Sequence, residues 1–316
     1  MRVYQYLTYS VTALILIHVS LGTTTGGAFP STPRTQPRSW VIDAPPIRFI
    51  ADHPLPQASK LHKDLVHLSS RLQKDLGVPP LKHSVRVYVY KSLKDYQRAV
   101  LKTIPYLREA DVQRSGIFLW RNNTPYVFLV HDKTFPRTLR HEFTHVMLNV
   151  HFGEIPIWVD EGLALYYENG AAVGWNSEMA EELTTQLTRG WIPDLKTLEK
   201  RRTMQDLDYL SYAESWGWTY LLLTRTPNGN VHMQNYLNRV KRSRKKINLT
   251  DSLGRVRGDL TAEWGRVFHP KHSVTRTHVS LPTPTTVEVP QRKVLLPRLF
   301  SNTTFGRNRR GLFSWK

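Results

Sequence analysis

The sequence predicts an α+β fold in which a small mixed sheet lobe is followed by a helical lobe. From Trp40 to about residue 133, apolar residues alternate in some segments and recur at helical spacing in others. From Thr134 to about residue 268 only helical patterns follow, and strands grouped before helices are typical of α+β domains. We therefore expect one domain at 40–268, with the sheet lobe at 40–133 and the helical lobe at 134–268.

Four strands and two helices account for the sheet lobe. The predicted strands are "IRFIAD" (47–52), "SVRVYVY" (84–90), "GIFLW" (116–120) and "YVFLVHD" (126–132), the last two forming a hairpin around "RNNTP". A stripe of leucines predicts a helix over 61–77, and Ser92 is a candidate N-cap for the second, with Asp95 three residues later.

Six further helices account for the helical lobe. Their periodic segments are residues 136–151, 157–169, 177–188, 210–224, 230–241 and 259–268.

Both ends of the chain differ in composition from this domain. Residues 1–22 combine a basic Arg2, an apolar run and small residues suited to cleavage, which predicts a signal peptide. Residues 23–39 are rich in Gly, Pro and Thr, which predicts a linker. Residues 269–316 are basic and lack core-forming periodicity, which predicts a mostly disordered tail. We therefore expect an exported protein, periplasmic or extracellular; an uncleaved N-terminal membrane anchor is the alternative.

The charge of the chain predicts attraction to anionic surfaces. Lys and Arg number 44 against 25 Asp and Glu, a formal net charge of +19. The run "KRSRKK" (241–246) and the tail are the expected contacts with a cell-wall polymer, a polysaccharide or phospholipid, and no motif indicates specific nucleic-acid binding. The absence of cysteine excludes disulfides, cysteine-ligated zinc, a thiol nucleophile and a lipoprotein anchor.

The motif "HEFTH" is the strongest chemical signal in the sequence. His141 and His145 are four residues apart, so on a helix both project from nearly the same face and can bind one metal ion. Glu142 lies about 100° round the helix from His141, close enough to take a proton from a water on the metal without binding the metal itself.

Two residues compete for the third ligand position. His151 lies ten residues after His141, the offset of the third histidine in the metzincin pattern HExxHxxGxxH. In a continuous helix, however, His151 would lie about 240° round from His145. The helix-breaking glycine of that pattern is replaced here by Leu148, a good helix former, so we expect His151 to be an exposed bystander at the helix end.

Glu161 is the better candidate. Gly153 ends the first helix, and a second helix that starts near Pro156 can fold back over it. Glu161 would then lie about one turn into the second helix and face the two histidines.

The residues between 138 and 168 resemble the gluzincin metallopeptidases, especially the bacterial peptidase MA-like families. Those families pair a "HEFTH"-like motif with a segment such as "PIWVDEGLA", and "YLSYAESWGWTYLLL" (209–223) resembles the helix that follows in them. The resemblance covers roughly residues 80–268 and implies a zincin-like fold with the active-site helix at the junction of the two lobes.

The resemblance also implies a reaction. It implies Zn²⁺ held by His141, His145 and Glu161, and hydrolysis of peptide bonds in a protein or peptide substrate, with Glu142 as the general base that activates a zinc-bound water. An edge strand of the sheet, "GIFLW" or "YVFLV", would pair with the extended substrate.

Other roles in the site are less constrained. Gluzincins usually supply a Tyr or His that stabilises the oxyanion, and the candidates here are Tyr209, Tyr212 and His232. Asp160 is a candidate to orient one of the metal-binding histidines.

A non-catalytic alternative fits the same features. A secreted basic protein could keep the zincin scaffold and dock on an anionic envelope polymer. Glu142 argues against this alternative, because a scaffold alone has no need of a base.

Overall fold

The computed structural model describes residues 39–82, 84–104, 107, 109–121, 124–170, 174–243, 247–253 and 256–268. The predicted signal peptide, the linker up to residue 38, the tail and residues 244–246 of the basic run lie outside these described residues. No helix in the described ranges is both long enough and apolar enough to cross a bilayer.

The first lobe is built on a five-stranded mixed sheet. Its strands are β1 (Trp40–Ala44), β2 (Ile47–Ala51), β3 (Val85–Tyr90), β4 (Gly116–Arg121) and β5 (Thr124–Val130), in the order β1-β2-β3-β5-β4. The central strand β3 runs parallel to β2 and β5, whereas the outer pairs are antiparallel. Strand β4 therefore forms one edge of the sheet.

Helices dominate the rest of the described chain. They are α1 (Ala58–Leu76), α2 (Leu93–Thr103), α3 (Phe135–Phe152), α4 (Ile157–Tyr167), α5 (Ser177–Thr188), α6 (Leu195–Leu198), α7 (Tyr209–Arg225), α8 (Gly229–Arg242), α9 (Leu249–Leu253) and α10 (Val256–Phe268). The α+β prediction is confirmed, as are all eight predicted helices. The short helices α6 and α9 and strand β1 were missed, because four or five residues carry too little periodicity.

Local sequence explains how the first helices begin and end. The Ser92 hydroxyl accepts a hydrogen bond from the Asp95 backbone N–H at 3.1 Å, so Ser92 is the predicted N-cap of α2. Helix α1 buries its leucine stripe and ends at Gly77, whose φ of 69° lies in the left-handed region that favours glycine.

The sheet separates two hydrophobic cores, because alternate residues of each strand face opposite sides. On β3, Val85, Val87 and Val89 join the larger core, which also contains the buried faces of α1, α3, α4 and α7. Tyr88 and Tyr90 pack instead on the smaller core, which α2 covers. Helix α3 follows β5 directly and packs on β4 and β5, on the face opposite α2.

Helices α4 and α7 pack closely against each other. A Cβ added at Gly162 of α4 would collide with the backbone carbonyl of Ser215 and the hydroxyl of Thr219, both on α7. Only glycine therefore allows α4 to lie this close to α7, and the approach fixes the position of Glu161, the neighbouring residue.

We predict that Gly162→Ala lowers the free energy of unfolding by about 1–3 kcal/mol, because the added methyl group has no room. Urea unfolding measures the loss. The matched control is Gly265→Ala on α10, where an added Cβ meets nothing within 4 Å and alanine favours the helix by up to about 1 kcal/mol. Equal effects of the two substitutions would contradict the packing described here.

Candidate metal centre

Helix α3 carries both histidines of "HEFTH" on one face. The Asp132 carboxylate accepts hydrogen bonds from the Thr134 N–H at 2.8 Å and the Thr134 hydroxyl at 2.7 Å, which fixes the chain where the helix begins. The helix is continuous to Phe152 and ends at Gly153, with φ of 73°. Since nothing interrupts the helical spacing between His141 and His145, their side chains lie one above the other.

Glu161 of α4 meets these two side chains, as the sequence predicted. Its Oε2 lies 3.4 Å from His141 Nε2 and 3.8 Å from His145 Nε2, and the two Nε2 atoms are 3.2 Å apart. The side chains of His145 and Glu161 are only 2% and 3% exposed, whereas that of His141 is 18% exposed. The group is therefore buried except on one side.

The three donor atoms fit a metal ion. Divalent ions such as zinc bind imidazole nitrogen and carboxylate oxygen at about 2.0–2.1 Å, so neighbouring donors of a tetrahedral site lie about 3.3 Å apart. The separations of 3.2, 3.4 and 3.8 Å lie around this value and leave a point about 2.1 Å from all three atoms. His141, His145 and Glu161 can therefore hold a metal ion.

A second layer of carboxylates orients both imidazoles. Asp160 Oδ1 lies 3.0 Å from His145 Nδ1, and Glu168 Oε2 lies 2.9 Å from His141 Nδ1. A proton on His141 Nδ1 directed at Glu168 leaves the Nε2 lone pair free to bind a metal, and the charge of Asp160 favours the same tautomer of His145. Asp160 thus lies where the sequence analysis expected an orienting residue.

Glu168 is a residue that the sequence analysis missed. It lies seven residues after Glu161, hence on the same face of the helix two turns later, and its buried carboxylate is held by three neighbours. Arg137 Nε donates to Oε1 at 2.7 Å, Asn176 Nδ2 donates to the same oxygen at 2.9 Å, and His141 contacts Oε2. Its spacing of seven residues from Glu161 was the feature of the sequence that could have identified it.

The carboxylates make the triad attractive to a cation. Burial lowers the pKa of His141, but hydrogen bonds to Glu161 and Glu168 outweigh burial and raise it well above its ordinary value. Burial likewise lowers the pKa of His145, and Asp160 and Glu161 reverse the effect. The negative field that favours a proton on each ring also favours a metal ion at the Nε2 atoms.

Glu142 lies beside the triad without belonging to it. The residue is buried, and a Cβ added at Gly116 of β4 would lie 3.0 Å from Glu142 Cγ, so this side chain lies close to the start of the edge strand. Burial raises the pKa of Glu142, and the charges of His141 and His145 oppose that rise. The arrangement provides a carboxylate next to the metal-binding atoms that is available for proton transfer.

The three candidate oxyanion residues lie in different surroundings. Tyr212 of α7 interacts electrostatically with Glu161 and Glu142, and burial raises the pKa of its hydroxyl. Tyr209 interacts instead with acids of α5, and His232 lies on α8.

His151 lies outside the triad. Its ring packs edge-on against Phe152 at 4.5 Å between centroids, and burial and the charge of Lys241 lower its pKa. Contrary to the expectation of an exposed residue, His151 is partly buried, because the last turn of α3 packs near α8.

Arg114 is a second residue that the sequence analysis missed. It lies two residues before β4, is partly exposed, and interacts electrostatically with Tyr212, Glu161 and Glu142. Burial by itself lowers the pKa of its guanidinium, and these three neighbours more than offset the effect. No local sequence pattern identifies Arg114, because its approach to the site depends on the pairing of β4 in the sheet.

Comparisons with known proteins identify no relative from which the role of the site could be inferred. A scan against known protein families finds no match, and a search among curated proteins finds no significant match. The resemblance to gluzincins therefore remains a prediction.

We predict that Glu161→Ala weakens zinc binding at least about tenfold, because two histidines remain of a three-residue donor set. Titration against a fluorescent chelator measures the affinity. His151→Ala is the control and should retain the wild-type affinity. If Glu161→Ala retained zinc and His151→Ala lost it, the third ligand would be His151 and not Glu161.

Glu168→Gln should weaken zinc binding by roughly 10-fold, because the neutral amide no longer stabilises the oriented ring of His141. The same titration applies. Glu178→Gln is a matched control, since Glu178 accepts a hydrogen bond from the same Arg137 at 3.0 Å and is largely exposed. Equal affinities of the two variants would show that Glu168 does not support the metal ligands.

Proposed function

We propose that the protein is a zinc metallopeptidase of the gluzincin type. One observation carries the proposal: the donor atoms of His141, His145 and Glu161 converge, and the buried carboxylate of Glu142 lies beside them outside the donor set. A purely structural metal site is usually closed by four protein ligands and has no use for a neighbouring base. The order of a small mixed sheet followed by helices is also consistent with a zincin-like fold.

The donor set favours zinc. Two imidazoles and one carboxylate, with a fourth position left for water or substrate, are the ligands of known catalytic zinc sites. When bound, the ion supplies Lewis acidity that polarises a carbonyl group and lowers the pKa of water.

Glu142 has the position and the environment of a general base. It accepts a proton from the attacking water and later passes that proton to the nitrogen of the leaving amine. Burial raises the pKa of Glu142, which makes the carboxylate a better proton acceptor than an exposed glutamate. Its side chain lies close to Gly116 of the edge strand.

Tyr212 is the best-supported residue for stabilising the oxyanion. It is the only one of the three candidates that interacts with both Glu142 and Glu161 among the described contacts. Its hydroxyl keeps its proton at neutral pH, since burial raises its pKa, and it can donate a hydrogen bond to the carbonyl oxygen as charge develops.

The edge of the sheet indicates where an extended peptide would bind. Strand β5 has neighbours on both sides, so of the two strands considered only β4 offers an edge. Its first residue, Gly116, lies against Glu142, so a peptide added to β4 passes the triad. We propose protein or peptide substrates on this ground.

The cellular setting remains a proposal from the sequence. A signal peptide at residues 1–22 would place the enzyme in the periplasm or outside the cell. The run 241–246 and the tail would hold it on an anionic polymer or membrane surface by electrostatic attraction.

Glu142→Gln should reduce hydrolysis of casein by at least about 10²-fold while the protein still binds one zinc ion, because the amide cannot accept the proton. Release of peptides and zinc content are measured on the same preparation. Glu263→Gln on α10 is the control and should hydrolyse casein normally. Loss of zinc from Glu142→Gln would contradict the assignment of this residue as a base.

A further inference from the structure

Arg114 provides a positive charge at one end of the site. It lies two residues before Gly116, and Gly116 lies against Glu142, so the guanidinium is near the start of the edge strand. It interacts with the carboxylates of Glu142 and Glu161. No ion pair joins Arg114 to a carboxylate of the described side chains.

A partly buried guanidinium without a paired carboxylate is costly to maintain. In the protein alone, the field of Glu142 and Glu161 stabilises it. A divalent metal ion would weaken that stabilisation, because its two positive charges offset the charges of these two carboxylates and repel the guanidinium of Arg114. The metal-loaded site would therefore attract an anionic group to Arg114.

The direction of β4 determines which part of a peptide reaches Arg114. Antiparallel pairing is the more stable arrangement, and it would continue the antiparallel pairing of β4 with β5. A peptide bound in this way runs from the Arg121 end of β4 toward Gly116, with its carboxyl-terminal part approaching Arg114. Two residues of extended chain span about 7 Å, so Arg114 lies about one or two residues beyond the scissile bond.

We propose that Arg114 binds a carboxylate of the substrate one or two residues to the carboxyl-terminal side of the cleaved bond. This inference rests on the proposed peptidase function. The carboxylate is either the carboxyl terminus of the peptide or the side chain of an Asp or Glu at that position. A guanidinium suits both, because it donates two parallel hydrogen bonds to a carboxylate.

The test uses a library of synthetic decapeptides made with either a free carboxyl terminus or a terminal amide. Mass spectrometry identifies the cleaved bonds and their rates. The wild-type protein should cleave free-acid peptides one or two residues before the end, and the amides roughly 10-fold more slowly. An Asp or Glu in that position of an amidated peptide should restore the rate if the side chain is the source of the carboxylate.

Variants of the arginine identify its role. Arg114→Ala should abolish the preference for a carboxylate, chiefly through KM, and Arg114→Lys should retain part of it, because the charge remains without the paired donors. Arg266→Ala removes an equal charge from α10, where the arginine pairs with Glu263, and should keep the preference. A wild-type protein that cleaves acids and amides equally, or an Arg114→Ala variant that keeps the preference, would overturn the inference.

A binding experiment separates this inference from the proposed function. Fluorescently labelled free-acid and amide peptides are titrated against Glu142→Gln, and the acid should bind roughly 10-fold more tightly unless Arg114→Ala is also present. Selective binding of the acid without hydrolysis by the wild type would support Arg114 but refute the peptidase. Hydrolysis without selective binding would support the peptidase and refute the role of Arg114.

Discussion

The approach of helix α4 to helix α3 is the constraint on which the site depends. It brings three carboxylates of one helix segment, Asp160, Glu161 and Glu168, to the two imidazoles of His141 and His145. Asp160 and Glu168 contact the Nδ1 atoms, and Glu161 faces the Nε2 atoms. A small rotation of α4 would disturb all of these contacts together, which explains why α4 is packed so closely against α7 through Gly162.

Arginines balance much of the negative charge that this arrangement buries. Arg137 pairs with Glu168, and Arg140 donates from Nη1 to Asp64 Oδ2 at 2.6 Å and from Nε to the backbone carbonyl of Glu168 at 2.5 Å. These contacts tie α1, α3 and the end of α4 together. The carboxylates nearest the donor atoms are not neutralised in this way, so a cation bound there would also stabilise the fold.

The sequence predicted what local periodicity determines. The helix period places His141 and His145 on one face, and the break at Gly153 allows the turn that returns Glu161 to them. Glu168 follows the same helical spacing, but it was overlooked because an acidic residue at the end of a helix is usually exposed to solvent. Arg114 could not be predicted, since it reaches the site only through the pairing of β4 with β5 and the packing of α3 over both strands.

X-ray absorption at the zinc edge of the zinc-loaded protein tests the central claim most directly, because it reports the atoms around the ion independently of activity. We expect one tightly bound zinc ion with two imidazole nitrogens and carboxylate or water oxygens at about 2.0–2.1 Å. A shell containing three or more imidazoles, or the absence of a stoichiometric zinc ion, would contradict it.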